Sequence, residues 1–170
     1  MNRLFISTTF TSDQTPLRQA LDLCGQLNVC GVELGSNHCY QTEWSFIQEF
    51  PFTYLVHNYF PIPKDSFVMN IASRNPWLKN WSIEHAKKAI DFCKKFGANL
   101  YTFHPGFLTD PHGSNQNNKN YDFQWDETQL NKINYEEAWE LMFDSVHEIV
   151  NYAKKIGVQI AFETEGSLHK

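Results

Sequence analysis

No stretch of this 170-residue chain approaches the ~20 consecutive apolar residues that a membrane-spanning helix requires. The start, Met1-Asn2-Arg3-Leu4-Phe5-Ile6-Ser7, turns polar too soon to form the apolar core of a secretory signal. A cytoplasmic protein without a membrane partner is the expectation. Cysteine is sparse: Cys24, Cys30, Cys39 and Cys93 form no Cys-x-x-Cys pair and no closely spaced framework, so free thiols are expected rather than a disulfide scaffold. Excess positive charge is also missing. The formal net charge is -5, and the pairs Lys87-Lys88, Lys94-Lys95 and Lys154-Lys155 fall on predicted helices, where they read as solvated helix ends. A nucleic-acid partner, which calls for clustered basic side chains, is therefore not expected. Nor does a glycine-rich phosphate loop follow the first apolar strand, which counts against a nucleotide-binding doubly wound sheet.

Hydrophobic residues make up 42% of the chain, including 14 Phe, enough for one packed domain over residues 1-170. Short apolar strands alternate with amphipathic helices, the pattern of a parallel α/β fold. Strands are expected at Leu4–Ile6, Val29–Leu34, Thr53–His57, Asn99–Phe103 and Val158–Phe162. Thr15 and Pro16 open a helix whose buried stripe is Leu17, Ala20, Leu21, Cys24 and Leu27, and a short helical stretch spans Trp44–Phe50. A second long helix starts at Ser82, buries Ile83, Ala86, Ile90 and Cys93, and ends at Gly97. A third opens on an Asn134 cap with Glu136 and Glu137 behind it, buries Trp139, Met142, Val146, Ile149, Val150 and Ala153, and ends at Gly157. The segments Lys94-Lys95-Phe96-Gly97 and Lys154-Lys155-Ile156-Gly157 repeat one helix-to-strand joint, which favours a TIM (β/α) barrel over an open sheet. With five strands the barrel is incomplete. Its inner face is expected to carry Leu55, Leu100 and Ile160 or their neighbours. Residues 107-134 form a long polar loop with Tyr121, Phe123 and Trp125 embedded, either a lid over a ligand or a decoration with its aromatics on the core.

Three expected strands end in His57, His104 and Glu163. Parallel strands deliver their C-terminal ends to one rim, and two imidazoles with a carboxylate suit a divalent ion such as zinc. The plainer reading is that these side chains reach solvent or cap backbone groups. Glu33 ends the second strand and could hydrogen-bond at the rim, or serve structure alone; Asn70 is a further rim candidate. His38, His85, His112, His147 and His169 are expected at the surface.

The segments Leu55-Val56-His57-Asn58-Tyr59-Phe60-Pro61, Phe67-Val68-Met69-Asn70-Ile71-Ala72-Ser73, Phe103-His104-Pro105-Gly106 and Ile160-Ala161-Phe162-Glu163-Thr164-Glu165-Gly166 resemble the xylose isomerase-like TIM barrel superfamily. That superfamily holds sugar (phosphate) isomerases and epimerases together with endonuclease IV-type nucleases (AP endonuclease family 2). The likeness covers strands three to five. The His-Pro-Gly and Glu-x-x-Gly segments are similar to the nuclease branch, and His-Asn-Tyr-Phe-Pro with Asn-Ile-Ala-Ser is more like sugar-isomerase members.

The resemblance implies His57, His104 and Glu163 as ligands of zinc or manganese, with His57 also against a sugar or sugar phosphate, for which the rim candidates Glu33 and Asn70 are further expected contacts by position. It implies Glu163 as a catalytic carboxylate. Glu165 stands where the nuclease pattern has a small residue, and so adds a second carboxylate able to act as a base. The implied activity is proton transfer at a carbon beside a metal-polarised carbonyl. The alternatives are a zinc-dependent AP endonuclease, which the acidic balance disfavours, and an inactive truncated barrel. Both branches take further ligands from strands six to eight, so a homo-oligomer or a missing C-terminal half is expected to complete the site.

Overall fold

The computed structural model describes residues 4-12, 15-110 and 134-163. Five strands form one parallel sheet in chain order: β1 (Phe5–Ser7), β2 (Gly31–Leu34), β3 (Thr53–His57), β4 (Leu100–Phe103) and β5 (Gln159–Phe162). The crossovers carry α1 (Leu17–Gln26), a 3-10 turn at Ser45–Glu49, α2 (Pro76–Phe96) and α3 (Tyr135–Ile156). Each strand thus pairs beside its predecessor, the arrangement of a (β/α) barrel opened between β5 and β1. The long loop expected at 107-134 lies outside the described residues beyond Asp110.

Register decides which side chains reach the site. Ser7 pairs with Glu33, Glu33 with Leu55, His57 with Thr102, and Thr102 with Ala161. Because side chains alternate along a strand, these residues share one face. The other face carries Val32, Leu34, Tyr54, Val56, Tyr101 and Phe103, all buried beneath the helices. Leu55 and Leu100 lie on the inner face as expected. Ile160 does not: it pairs with Tyr101 and so turns toward the helix side. Ser7, Gly31, Thr53, Gln159 and Ala161 fill much of the inner face instead, making it more polar than expected.

Three helices differ from the sequence reading: α1 begins at Leu17 with no side-chain cap from Thr15, and Leu27, expected in its buried stripe, caps its end and is 59% exposed. α2 begins six residues before Ser82, because the Asn75 side chain accepts a hydrogen bond from Trp77 N at 3.0 Å and Pro76 supplies the first helical turn. Ser82 lies inside the helix and donates to Leu78 O at 2.8 Å. In α3 the Asn134 cap is present, with Glu137 N donating to its side chain at 3.2 Å. Trp139, however, is 51% exposed. The buried line runs through Ala138, Ser145, Ile149 and Ala153, and Trp139 sits beside it, stacked on Phe143 with ring centroids 5.6 Å apart. Gly97 and Gly157 end α2 and α3 with φ of +75° and +83°, the left-handed step that glycine takes without strain.

Candidate metal centre

The parallel sheet brings three strand ends to one rim. His57 is the last residue of β3, His104 follows β4 directly, and Glu163 follows β5. The ladder continues one step past β3 and β5: Asn58 N donates to Thr102 O at 2.7 Å and Glu163 N to Phe103 O at 3.1 Å. Asn58 then turns the chain with φ of +50°, a conformation that asparagine tolerates better than most residues. His57 is thereby left at the lip of the sheet.

One ligating atom from each of His57, His104 and Glu163 lies within 4.8 Å of the others, and among the described residues this is the one such cluster of three. The His57 and His104 rings meet edge to face with centroids 5.4 Å apart. His57 Nδ1 lies 2.8 Å from Thr102 Oγ1 and 3.4 Å from Glu163 Oε1. His104 turns Nδ1 toward Glu163 O at 3.4 Å and brings Nε2 to 4.0 Å from Glu163 Oε2. Both imidazoles are largely shielded, whereas the Glu163 side chain is 44% exposed and has room to rotate.

The donor set fits a divalent ion. Three ligands bonded at about 2 Å stand about 3–4 Å from one another, so the cluster needs only a small contraction, which the exposed carboxylate can supply. The backbone carbonyl at His104 Nδ1 is the kind of outer contact that fixes an imidazole's tautomer and leaves Nε2 for a metal, while the Thr102 hydroxyl steadies the His57 ring at Nδ1, the nitrogen that also faces Glu163 Oε1. Thr102 is absent from the sequence reading. It belongs to no motif, and its signal is a polar residue placed by period two on the face that carries His57.

Glu33 lies on that same inner face, deeper in the sheet, opposite Leu55. Asn70 is fully buried in the segment between β3 and α2, with its amide bonded to Asp110, Ala72 and Phe107. Glu165 lies outside the described residues, as do His112 and His169. His147 is exposed as expected. His38 and His85 are not, each being only 4% exposed. His38 Nδ1 bonds Thr15 O at 2.7 Å. His85 packs against Phe67 and Tyr59, and burial lowers its pKa to about 4.

A family model described as xylose isomerase-like TIM barrel matches residues 41-169. No curated protein matches the chain. Among solved structures, a D-tagatose 3-epimerase-like protein is similar at a TM-score of 0.71 with 17% identity, covering 98% of this chain and 54% of that one. A Thermus thermophilus protein soaked with zinc chloride is similar at 0.56 with 19% identity, covering 94% and 54%. A Methylomonas sp. D-allulose 3-epimerase in complex with D-allulose is similar at 0.61 with 12% identity, covering 93% and 49%. At these identities the likeness is one of fold, and the chain spans about half the length of the structures it matches.

Proposed function

The chain belongs to the xylose isomerase-like TIM barrel family, and from that premise we propose that it serves metal-assisted isomerisation or epimerisation of a sugar or sugar phosphate. The observation that carries the reading is the convergence of His57, His104 and Glu163 within 4.8 Å on one rim. These three would hold a divalent cation, zinc or manganese. Such an ion supplies Lewis acidity, which makes a proton beside a carbonyl removable.

The chain's own groups do the rest. Thr102 orients His57, and the exposed Glu163 carboxylate has a second oxygen that can face a substrate hydroxyl. Glu33, deeper on the inner face, offers an acceptor for a polyol reaching down from the rim. Asn70 acts indirectly, through the loop it holds, and Glu165 is the second carboxylate that takes and returns the carbon-bound proton. The neighbours solved with a bound sugar or a zinc soak support this choice of ligand class, and the net charge of -5 favours a neutral or singly bound sugar over a polyanionic nucleic acid. Three protein donors leave positions open, as catalytic sites do. A sheet of five strands also leaves room for groups from a further βα layer or a second copy of the chain.

The test is metal content and proton exchange. The wild-type protein should take up about one zinc or manganese per chain. Glu163→Gln should weaken that uptake by roughly a hundredfold or more, beyond what loss of an outer contact costs, with an unchanged circular dichroism spectrum. Solvent deuterium should appear at the carbon beside the carbonyl of a supplied ketose, even where net turnover is slow. Equal metal uptake by the wild type and Glu163→Gln would remove the assignment.

A further inference from the structure

We propose that Asn70 and Asp110 form a latch that sets the His104 imidazole on the rim, so that both are positioning residues of this centre; the inference rests on the metal reading above. Asn70 lies in the segment between β3 and α2, and it is fully buried. Its amide nitrogen donates to Asp110 Oδ1 at 2.7 Å. Its carbonyl oxygen accepts from Ala72 N at 3.0 Å and from Phe107 N at 3.1 Å. Its own backbone N–H donates to Ser82 Oγ at 3.0 Å, which ties it to α2.

The other side of the latch is the segment that begins with His104. Ile71 N donates to Pro105 O at 3.0 Å, and Ser73 Oγ donates to Asp110 Oδ2 at 2.7 Å. The stretch from Pro105 to Asp110 is therefore fastened at Pro105, Phe107 and Asp110, each time by residues 70-73. Gly106 allows the approach. It has φ of +123°, and a Cβ there would stand 2.6 Å from the Asn70 Cα.

The His104 ring meets His57 edge to face, with centroids 5.4 Å apart, and turns both nitrogens toward Glu163. Its Nδ1 contact to Glu163 O is 3.4 Å and its Nε2 stands 4.0 Å from Glu163 Oε2. The backbone that carries the ring is the one the latch holds, since Pro105, which accepts from Ile71 N, follows His104 directly. Displacements of the order of 1 Å in a supporting group are enough to spoil a ligand constellation. An aspartate that spends both oxygens on neutral donors, with charge-strengthened bonds, gives that support in a direction-specific way. The same geometry explains why a polar amide occupies a fully buried position: each of its two polar atoms has a partner.

The arrangement permits a reciprocal exchange. Asn70→Asp sets two carboxylates face to face and should open the latch. In the double variant Asn70→Asp/Asp110→Asn the amide at position 110 donates to the carboxylate at position 70, and its carbonyl oxygen still accepts from Ser73, so the bond returns with donor and acceptor swapped. Two measurements read the result. In metal-free protein, the nuclear Overhauser contact between the His57 and His104 rings should be present in the wild type, lost in Asn70→Asp and Asp110→Ala, and restored in the double variant. With cobalt(II) as probe, the dissociation constant should rise by about tenfold to a hundredfold in the single variants and recover in the double, together with the ligand-field absorption. Should Asn70→Asp fail to fold, Asp110→Ala and the double variant carry the comparison. An unchanged ring contact and cobalt affinity in a folded single variant would overturn the latch, as would a double variant no better than the worse single. A wild type that binds no cobalt defeats the metal reading instead, and the ring contact then still decides the latch.

Discussion

Lowering the pH should unfold this protein through His85 before its carboxylates are fully protonated. His85 is enclosed by Tyr59 and Phe67, one ring nitrogen bonds the Asn58 backbone, and its buried Nε2 has no partner among the described residues. Burial is the larger cause of its low pKa, and the charge on Lys88 adds to it; the pKa falls from 6.5 to about 4. The folded state thus holds the neutral ring while the unfolded chain accepts a proton near its ordinary pKa. Stability from this group is fully present above about pH 6.5 and drains away as the pH falls to about 4. At about 1.4 kcal/mol per unit, the whole shift amounts to about 3 kcal/mol, a large share of a typical domain's stability. Urea unfolding of metal-free wild type and His85→Leu, from about pH 7.5 down to about 4.5, isolates it from the carboxylates that both proteins share. At neutral pH the variant should be less stable by about 1 kcal/mol, for the lost hydrogen bond. That gap should shrink with acid and reverse, moving by about 2–3 kcal/mol over the range. Parallel stability curves would refute the reasoning.

Thr102→Val keeps the β-branched shape but removes the hydroxyl 2.8 Å from His57 Nδ1. It should cost about 1 kcal/mol of stability and weaken zinc binding by about tenfold to a hundredfold, readable by calorimetry; an unchanged affinity would show that His57 needs no such support. The second expectation concerns association. Among the described residues β5 pairs with β4 alone, and Tyr135, Trp139 and Phe143 lie exposed along α3. The 170-residue chain should therefore sediment as an oligomer. Trp139→Lys with Phe143→Lys should push it toward monomer, and a monomeric wild type would count against the reading.

How much of this was legible in the sequence varied with the kind of signal. β3, and with it His57, stood out because a run of β-formers ends sharply at a polar residue; β4 and β5 did so for the same reason. The rim followed from topology, since parallel strands share a C-terminal end. The start of α2 was less visible. Trp77 is exposed, so the apolar stripe becomes regular only after Ser82, while the Asn75-Pro76 cap carries the true signal. Trp139 read as core because it stands at helical spacing from Met142 and Val146, although its angular position is at the margin of the buried line. His38 and His85 were assigned to the surface because one falls in an expected loop and the other on a predicted helix, and no local pattern announces the backbone carbonyl that receives His38. Thr102 and Asp110 were invisible for a different reason. Each matters through a partner distant in the chain, 45 and 40 residues away respectively.

The alternation of faces along the strands also governs which changes in chain length the protein can absorb. Thr102 looks inward while Tyr101 and Phe103 are fully buried on the helix side. One residue inserted within β4 would exchange those roles, driving two aromatic rings into the site and Thr102 into the core. His104 would also lose its place opposite Glu163. Residues added in the turns before α1 or α2 would shift no such parity, and loop closure penalises extra length only weakly. Descendants of this sequence should therefore gain and lose residues more readily in the crossovers, outside the fastened segments 70-73 and 105-110, while the count within β3 and β4 stays constant. The separation of His57 from Thr53, or of His104 from Leu100, would then outlast most of the side chains between them.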